Sequence, residues 1–181
     1  ARPRRTSDLY QEAKHKLTHF DNKLDLFEIM AFLLACNNSI PKAGIGRGAQ
    51  LLHVLSGGRL YQAVNNHWAS HRIKCALTGE YWKVNSLHYQ MMRVPKESKE
   101  FVLRILATAD CGTMAESMKA DNSCLMQMIT NNNIPQIEAA YWMGNNALCF
   151  QPHPELKNYK GQKKCRELYF HYIKELLEVG D

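Results

Sequence analysis

Pro41-Lys-Ala-Gly-Ile-Gly-Arg-Gly-Ala-Gln-Leu-Leu-His-Val-Leu-Ser-Gly-Gly-Arg-Leu-Tyr-Gln62 is the stretch on which the fold turns. Pro41 to Ile45 reads as a short buried strand, and about Ala49 to Leu55 as a helix stopped by Gly57-Gly58. Between them lies the turn Gly44-Ile45-Gly46-Arg47-Gly48. Glycines 44 and 48 are expected to let strand and helix approach closely, with position 46 at the tip in strained geometry. Such an elbow holds its tip residue exposed above a sheet and aims the next backbone N–H into an oxyanion hole. A lone glycine-rich turn is weak evidence, since an ordinary strand–helix connection looks the same.

Outward from the turn, the elements alternate. Asp25 to Asn37 carries Leu26, Ile29, Met30, Leu33 and Leu34 at helical spacing, predicting an amphipathic helix that ends at Asn37-Asn38-Ser39. Arg59 to Val64 and Trp82 to Val84 are short strand candidates, and Glu100 to Ala109 is a longer one. Ile137 to Met143, Gly144-Asn145-Asn146 and Ala147 to Gln151 read as two strands about a turn. Gly161 to Val179 closes the chain as a helix faced by Leu168, Tyr169, Tyr172, Ile173, Leu176 and Leu177. This order predicts one α/β domain over residues 1–181 with a mixed sheet.

Composition agrees. The 181 residues are 45% hydrophobic and 22% charged, which excludes intrinsic disorder and a disulfide-dependent mini-protein. The apolar stretch from Leu26 to Cys36 is broken by Glu28 and is too short to span a bilayer. No secretory signal follows the basic start Ala1-Arg-Pro-Arg-Arg5, so a cytoplasmic setting is expected. The six cysteines form no C-x-x-C pair and are expected to be reduced, mostly buried thiols; no metal and no cofactor are expected. The net charge of +6 comes from short clusters at Arg2–Arg5 and Lys157–Lys164. Without a long basic stripe interleaved with aromatics, a nucleic-acid-contacting module is only a third-ranked reading.

The elbow segment resembles the signature G-I-C-R-G-x-Q-x-x-N-V-x-x-G-G-x-L-Y-Q of class I glutamine amidotransferases, in the γ-glutamyl hydrolase-like peptidase branch (the γ-glutamyl-γ-aminobutyrate hydrolase type). Three further segments agree in order. Asp8-Leu-Tyr-Gln-Glu12, with Asp21 and Asp25-Leu-Phe-Glu28, is similar to that branch's approach to the elbow. Val84-Asn-Ser-Leu-His-Tyr-Gln90 is similar to V-N-S-x-H-x-Q, and Cys149-Phe-Gln-Pro-His-Pro-Glu155 to G-V-Q-x-H-P-E. The resemblance implies a flavodoxin-like fold, a mixed, mainly parallel sheet flanked by helices.

It also implies roles. In the family the elbow Cys attacks a γ-glutamyl amide, and the His of H-P-E, oriented by the Glu, is its base and acid. These map to Gly46, His153 and Glu155. A thiolate needs an imidazole neighbour, and the imidazole a carboxylate to fix its tautomer. Two residues apart at a strand end, His153 and Glu155 would share a face. The Arg47 backbone N–H would join the oxyanion hole, and Gln50 with Asn85, Ser86, Leu87 and His88 would border the glutamyl pocket. Gln50 capping local backbone and His88 packing on a loop are the bland alternatives. The implied ligand is glutamine or a γ-glutamyl amide.

Two departures change the expectation. Position 46 is Gly, which has no side chain to attack a carbonyl, and neither Cys36 nor Cys149 stands on a tight strand–helix turn to replace it. Either a family member has lost catalysis, leaving a binding or structural role with a protein partner or larger assembly, or an enzyme has been disabled by substitution at position 46. Second, Leu9-Tyr10 stands almost at the start, so the fold's N-terminal strand–helix–strand portion, about fifty residues of a domain of about 200–250, is expected to be lacking here.

Overall fold

The computed structural model describes residues 21–94, 103–118, 124–130, 133–157 and 161–177. The Asp8–Glu12 segment, the Arg2–Arg5 cluster and the start of the strand expected from Glu100 lie outside them.

Helix α1 (Asn22–Asn37) begins at Asp21, whose carboxylate accepts from the N–H groups of Lys23 and Leu24. Strand β1 (Lys42–Ile45) leads through Gly46 into α2 (Arg47–Leu55). Short strands follow: β2 (Arg59–Tyr61), β3 (Ala63–Val64), β4 (His71–Cys75), β5 (Tyr81–Val84) and β6 (Met91–Arg93). Then come β7 (Leu103–Ala109), β8 (Thr113–Met118), β9 (Cys124–Ile129), β10 (Ile137–Trp142), a 3-10 turn over Met143–Asn145, β11 (Ala147–Phe150) and α3 (Gln162–Leu176).

The main sheet runs β1-β11-β10-β7-β4-β5, with β6 bridging β10 to β2; β3, β8 and β9 form a second, three-stranded sheet. The α/β class with helices flanking a mixed sheet is the one expected. Within the described residues, however, the mainly parallel pairing narrows to one parallel pair, β1 with β11, and every other pair is antiparallel. Hairpins such as β4–β5 and β10–β11 turn back on themselves, and only crossover connections give parallel neighbours.

Alternation along β11 divides the core. Ala147 and Cys149 pack with Ala49, Leu52, Val54, Phe32 and Trp142 on the α2 side, while Leu148 and Phe150 pack with Cys165, Leu168 and Tyr172 of α3 on the other. The expected C-terminal helix face is therefore the one that is used. Helix α1 differs. It forms where periodicity placed it, but Leu26, Phe27, Met30, Leu33 and Leu34 are exposed, and only Asp25 and Phe32 are buried. No described element covers that face, so correct helical spacing did not predict burial. The strand expected over Arg59–Val64 splits at Gln62: β2 joins the main sheet and β3 the small one. None of the six cysteines forms a disulfide: Cys75, Cys149 and Cys165 are buried, Cys36 and Cys111 half-buried, and Cys124 exposed.

Candidate active site

Gly46 is the residue before α2 and sits at φ 54°, ψ −114°, a conformation that L side chains rarely adopt. Its N–H donates to the Phe150 carbonyl at 2.9 Å, and its carbonyl accepts from the Gln50 N–H at 3.1 Å, so the tip is pinned to β11 and to α2. Close approach of strand and helix depends on Gly44, where a Cβ would stand 2.5 Å from the Gly48 carbonyl group. Gly48 carries none of that demand itself, because a Cβ there meets nothing within 4 Å. The Arg47 N–H belongs to the first turn of α2, whose donors lack intrahelical acceptors. The Arg47 side chain is engaged elsewhere, donating to Asp25 at 2.6 Å and to both oxygens of Glu28 at 2.7 Å. Those ion pairs tie α1 to the elbow.

His153 lies over the tip. Its Nδ1 is 2.8 Å from Glu155 Oε1, and a Cβ added to Gly46 would stand 2.5 Å from His153 Cε1 and 2.9 Å from Nε2. The ring thus occupies space that a side chain at position 46 needs. The pairing does not come from a shared strand face: β11 ends at Phe150, and His153 and Glu155 meet in the turn beyond it, where the Leu156 N–H returns to the His153 carbonyl at 3.3 Å. Asn85, fully buried, clamps that turn. It donates to the His153 carbonyl and accepts from the His153 N–H, both at 2.7 Å.

The remaining expected residues point to other partners. Gln50, buried, donates to the Gln90 carbonyl at 2.9 Å. Ser86 donates to the His67 carbonyl at 2.5 Å, and Leu87 is half-buried. His88 is buried, with Nδ1 on the Gln90 carbonyl at 2.9 Å and Nε2 facing Glu138 at 3.3 Å. The cysteines do not supply a substitute nucleophile at the tip. Burial pushes the Cys149 thiol far above its ordinary pKa and that of Cys165 up to about 12, while Cys36 lies in the last turn of α1.

The sequence reading missed His67, His71 and Glu138, which surround His88. The available signal was a carboxylate inside the otherwise apolar strand Ile137–Trp142; His67 and His71 carry no recognisable spacing outside a helix.

The Peptidase C26 family matches residues 6–129 of the 181. The chain belongs to the Peptidase C26 family. Peptidase C26 membership agrees with the class I glutamine amidotransferase-like resemblance of the elbow. No curated protein matches. Among solved structures, a glutamine amidotransferase from Thermotoga maritima is similar with TM-score 0.50 and 15% identity over 84% of this chain and 60% of that one. A glutamine amido transferase from Methylobacillus flagellatus gives TM-score 0.41 and 14% identity over 70% of this chain and 43% of that one. At such identities the Thermotoga likeness supports the fold alone. The chain spans 60% of the Thermotoga protein's length.

Proposed function

We propose that this chain is a glutamine amidotransferase-like domain of the Peptidase C26 family that has given up acyl-enzyme chemistry and acts by binding. The observation that carries the reading is the pairing of Gly46 with His153. The tip has no side chain, and the imidazole fills the space a Cβ would take there while keeping Glu155 on Nδ1. In a cysteine-bearing relative the imidazole would take the thiol proton, the thiolate would add to the γ-carbonyl, and first-turn N–H groups would hold the oxyanion. Here the base and its orienting carboxylate stand ready, with no thiol between them and a substrate. The residues proposed to face a bound glutamine or γ-glutamyl amide are His153, the Arg47 N–H and the elbow backbone, with Gln50 and Asn85 as supports behind them. A partner protein in a cytoplasmic assembly completes the proposal. No helix among the described residues is long and apolar enough to cross a membrane.

The second reading is an enzyme whose residue 46 is natively cysteine. Glutaminase and γ-glutamyl hydrolase assays on the chain and on Gly46→Cys separate the two. Activity confined to the cysteine variant supports the disabled enzyme. Inertness of both, together with calorimetric binding of glutamine, supports the binding role. Turnover by the unsubstituted chain at rates typical of enzymes overturns both.

A further inference from the structure

Behind the His153 turn, four buried or half-buried side chains converge on one point. Glu138 is fully buried, in β10, where the register against β7 slips between Ile137 and Ala139. A bulge of this kind re-aims a side chain. Its Oε1 faces three imidazole nitrogens: His67 Nδ1 at 2.9 Å, His71 Nε2 at 3.1 Å and His88 Nε2 at 3.3 Å. Its Oε2 is buried with no hydrogen-bond partner. His67 Nδ1 and His88 Nε2 are likewise buried and approach the carboxylate out of line for a hydrogen bond.

The opposite nitrogens explain the misfit. His67 Nε2 faces Gln136 Oε1 at 3.2 Å, His71 Nδ1 faces the Ala69 carbonyl at 3.3 Å, and His88 Nδ1 faces the Gln90 carbonyl at 2.9 Å. The orientation of Gln136 is itself fixed, because its amide nitrogen donates to the Cys111 carbonyl. Each outer nitrogen therefore needs a proton, and a neutral imidazole has only one. The inner nitrogens of His67 and His88 then present lone pairs to a carboxylate, and His71 keeps its 3.1 Å hydrogen bond from Nε2 to Oε1 only by turning an Nδ1 lone pair toward the Ala69 carbonyl. Protonating one ring would balance the carboxylate but leave the other rings without a donor for it, and protonating all three would bury three positive charges against one negative charge. A divalent cation at the centre satisfies every inner nitrogen and the orphaned carboxylate while leaving each outer N–H on its carbonyl. That outer arrangement is what orients histidine ligands in metal sites.

We propose that His67 Nδ1, His71 Nε2, His88 Nε2 and Glu138 bind a divalent transition-metal ion of the zinc class. Imidazole and carboxylate donors suit that class. Bonds of about 2.0–2.1 Å in a tetrahedral site put donor atoms about 3.3 Å apart, close to the three histidine–carboxylate separations. The ligand atoms of His67, His71 and Glu138 all lie within 4.8 Å of one another, so side-chain rotations of about 1.5 Å or less close the widest gap among those three, and His88 Nε2 joins them from 3.3 Å off the carboxylate oxygen. The His71 side chain is 9% exposed and gives the ion its way in. The site is independent of whether the elbow binds glutamine.

The test uses the full chain, stripped with EDTA and titrated with Zn2+ against a chromophoric chelator and with Co2+ by visible absorption. One saturable equivalent is expected, with a tetrahedral Co2+ band. Glu138→Gln and His71→Gln should each weaken Zn2+ binding by at least about 100-fold, and Gln136→Met, which removes only the outer acceptor of His67, by about 10–100-fold. His71→Gln, at the half-buried rim, serves if Glu138→Gln does not fold. A stripped chain that is folded by circular dichroism yet binds no Zn2+ saturably overturns the proposal. So does binding that is unchanged in a folded ligand variant, since another group of side chains would then hold the ion.

Discussion

Gly46→Ala measures directly how the His153 ring sits on the elbow. Two separate costs arise. The tip's φ of 54° is one that L side chains rarely adopt, a strain of roughly 1–3 kcal/mol. The new methyl would also stand 2.5 Å from His153 Cε1, and displacing a packed ring costs about 1–3 kcal/mol. The ring can swing only by loosening its 2.8 Å contact with Glu155, which is 41% exposed and can follow. A combined loss of roughly 2–6 kcal/mol is therefore expected in urea unfolding, or about 4–24 °C in Tm for a chain of this size. The same substitution in a His153→Ala background should retain the backbone strain and lose the steric part. A double-mutant cycle should thus give a coupling of about 1–3 kcal/mol. If Gly46→Ala costs the same in both backgrounds, within about 0.5 kcal/mol, the ring does not occupy the position-46 space and the packing argument for a lost nucleophile fails. The Gly46→Cys variant used to test activity meets the same ring and should share the steric cost.

Gly44→Ala and Gly48→Ala should separate the two turn glycines: roughly 3 kcal/mol is lost at Gly44, where a methyl meets backbone at 2.5 Å, and about 0.5–1 kcal/mol is gained at Gly48, which is helical and unobstructed. Equal effects in thermal melts would contradict the assignment of the close approach to Gly44. His53 is buried with its pKa lowered from 6.5 to about 4 by burial, and Trp142 Nε1 donates to its Nδ1 at 3.1 Å, so the folded state disfavours a second ring proton. The unfolded chain takes up that proton below pH 6.5 and the folded one only near pH 4, so stability is full above 6.5 and falls by roughly 3 kcal/mol as pH drops to 4. His53→Gln should remove that part of the slope in urea titrations across the interval; an unchanged slope would refute it. Arg47→Met leaves the Asp25 and Glu28 carboxylates, 9% and 27% exposed, without their cation and should cost about 3 kcal/mol. Hydrogen exchange should then show α1 opening more readily, whereas unaltered α1 protection would show that the ion pairs do not anchor it.

Local features were legible because local physics controls them. The strand, turn and helix of the elbow follow from glycine placement, and the β10–β11 hairpin from its Gly-Asn-Asn turn. The missing nucleophile is visible in one letter. Burial was less legible. Spacing along α1 places Leu26, Met30, Leu33 and Leu34 on a helix, yet their exposure depends on what packs there. Strands β4, β6, β8 and β9 are short and mixed in polarity, and long-range pairing holds them rather than a period of their own. The His153–Glu155 contact was anticipated, but through a strand face; a turn clamped by Asn85, 68 residues away, produces it instead.

The sequence by itself determined the family, the elbow and its glycine tip, because these lie in contiguous residues whose backbone preferences and motif spacing act at short range. Only the tertiary structure decided that His153 lies against Gly46, that Asn85 holds the turn, and that His67, His71 and His88 converge on a carboxylate in β10. The last of these placements comes from strand register and a bulge that bring Glu138 together with residues 50 to 71 positions before it in one buried volume, where desolvation makes the unpaired atoms count.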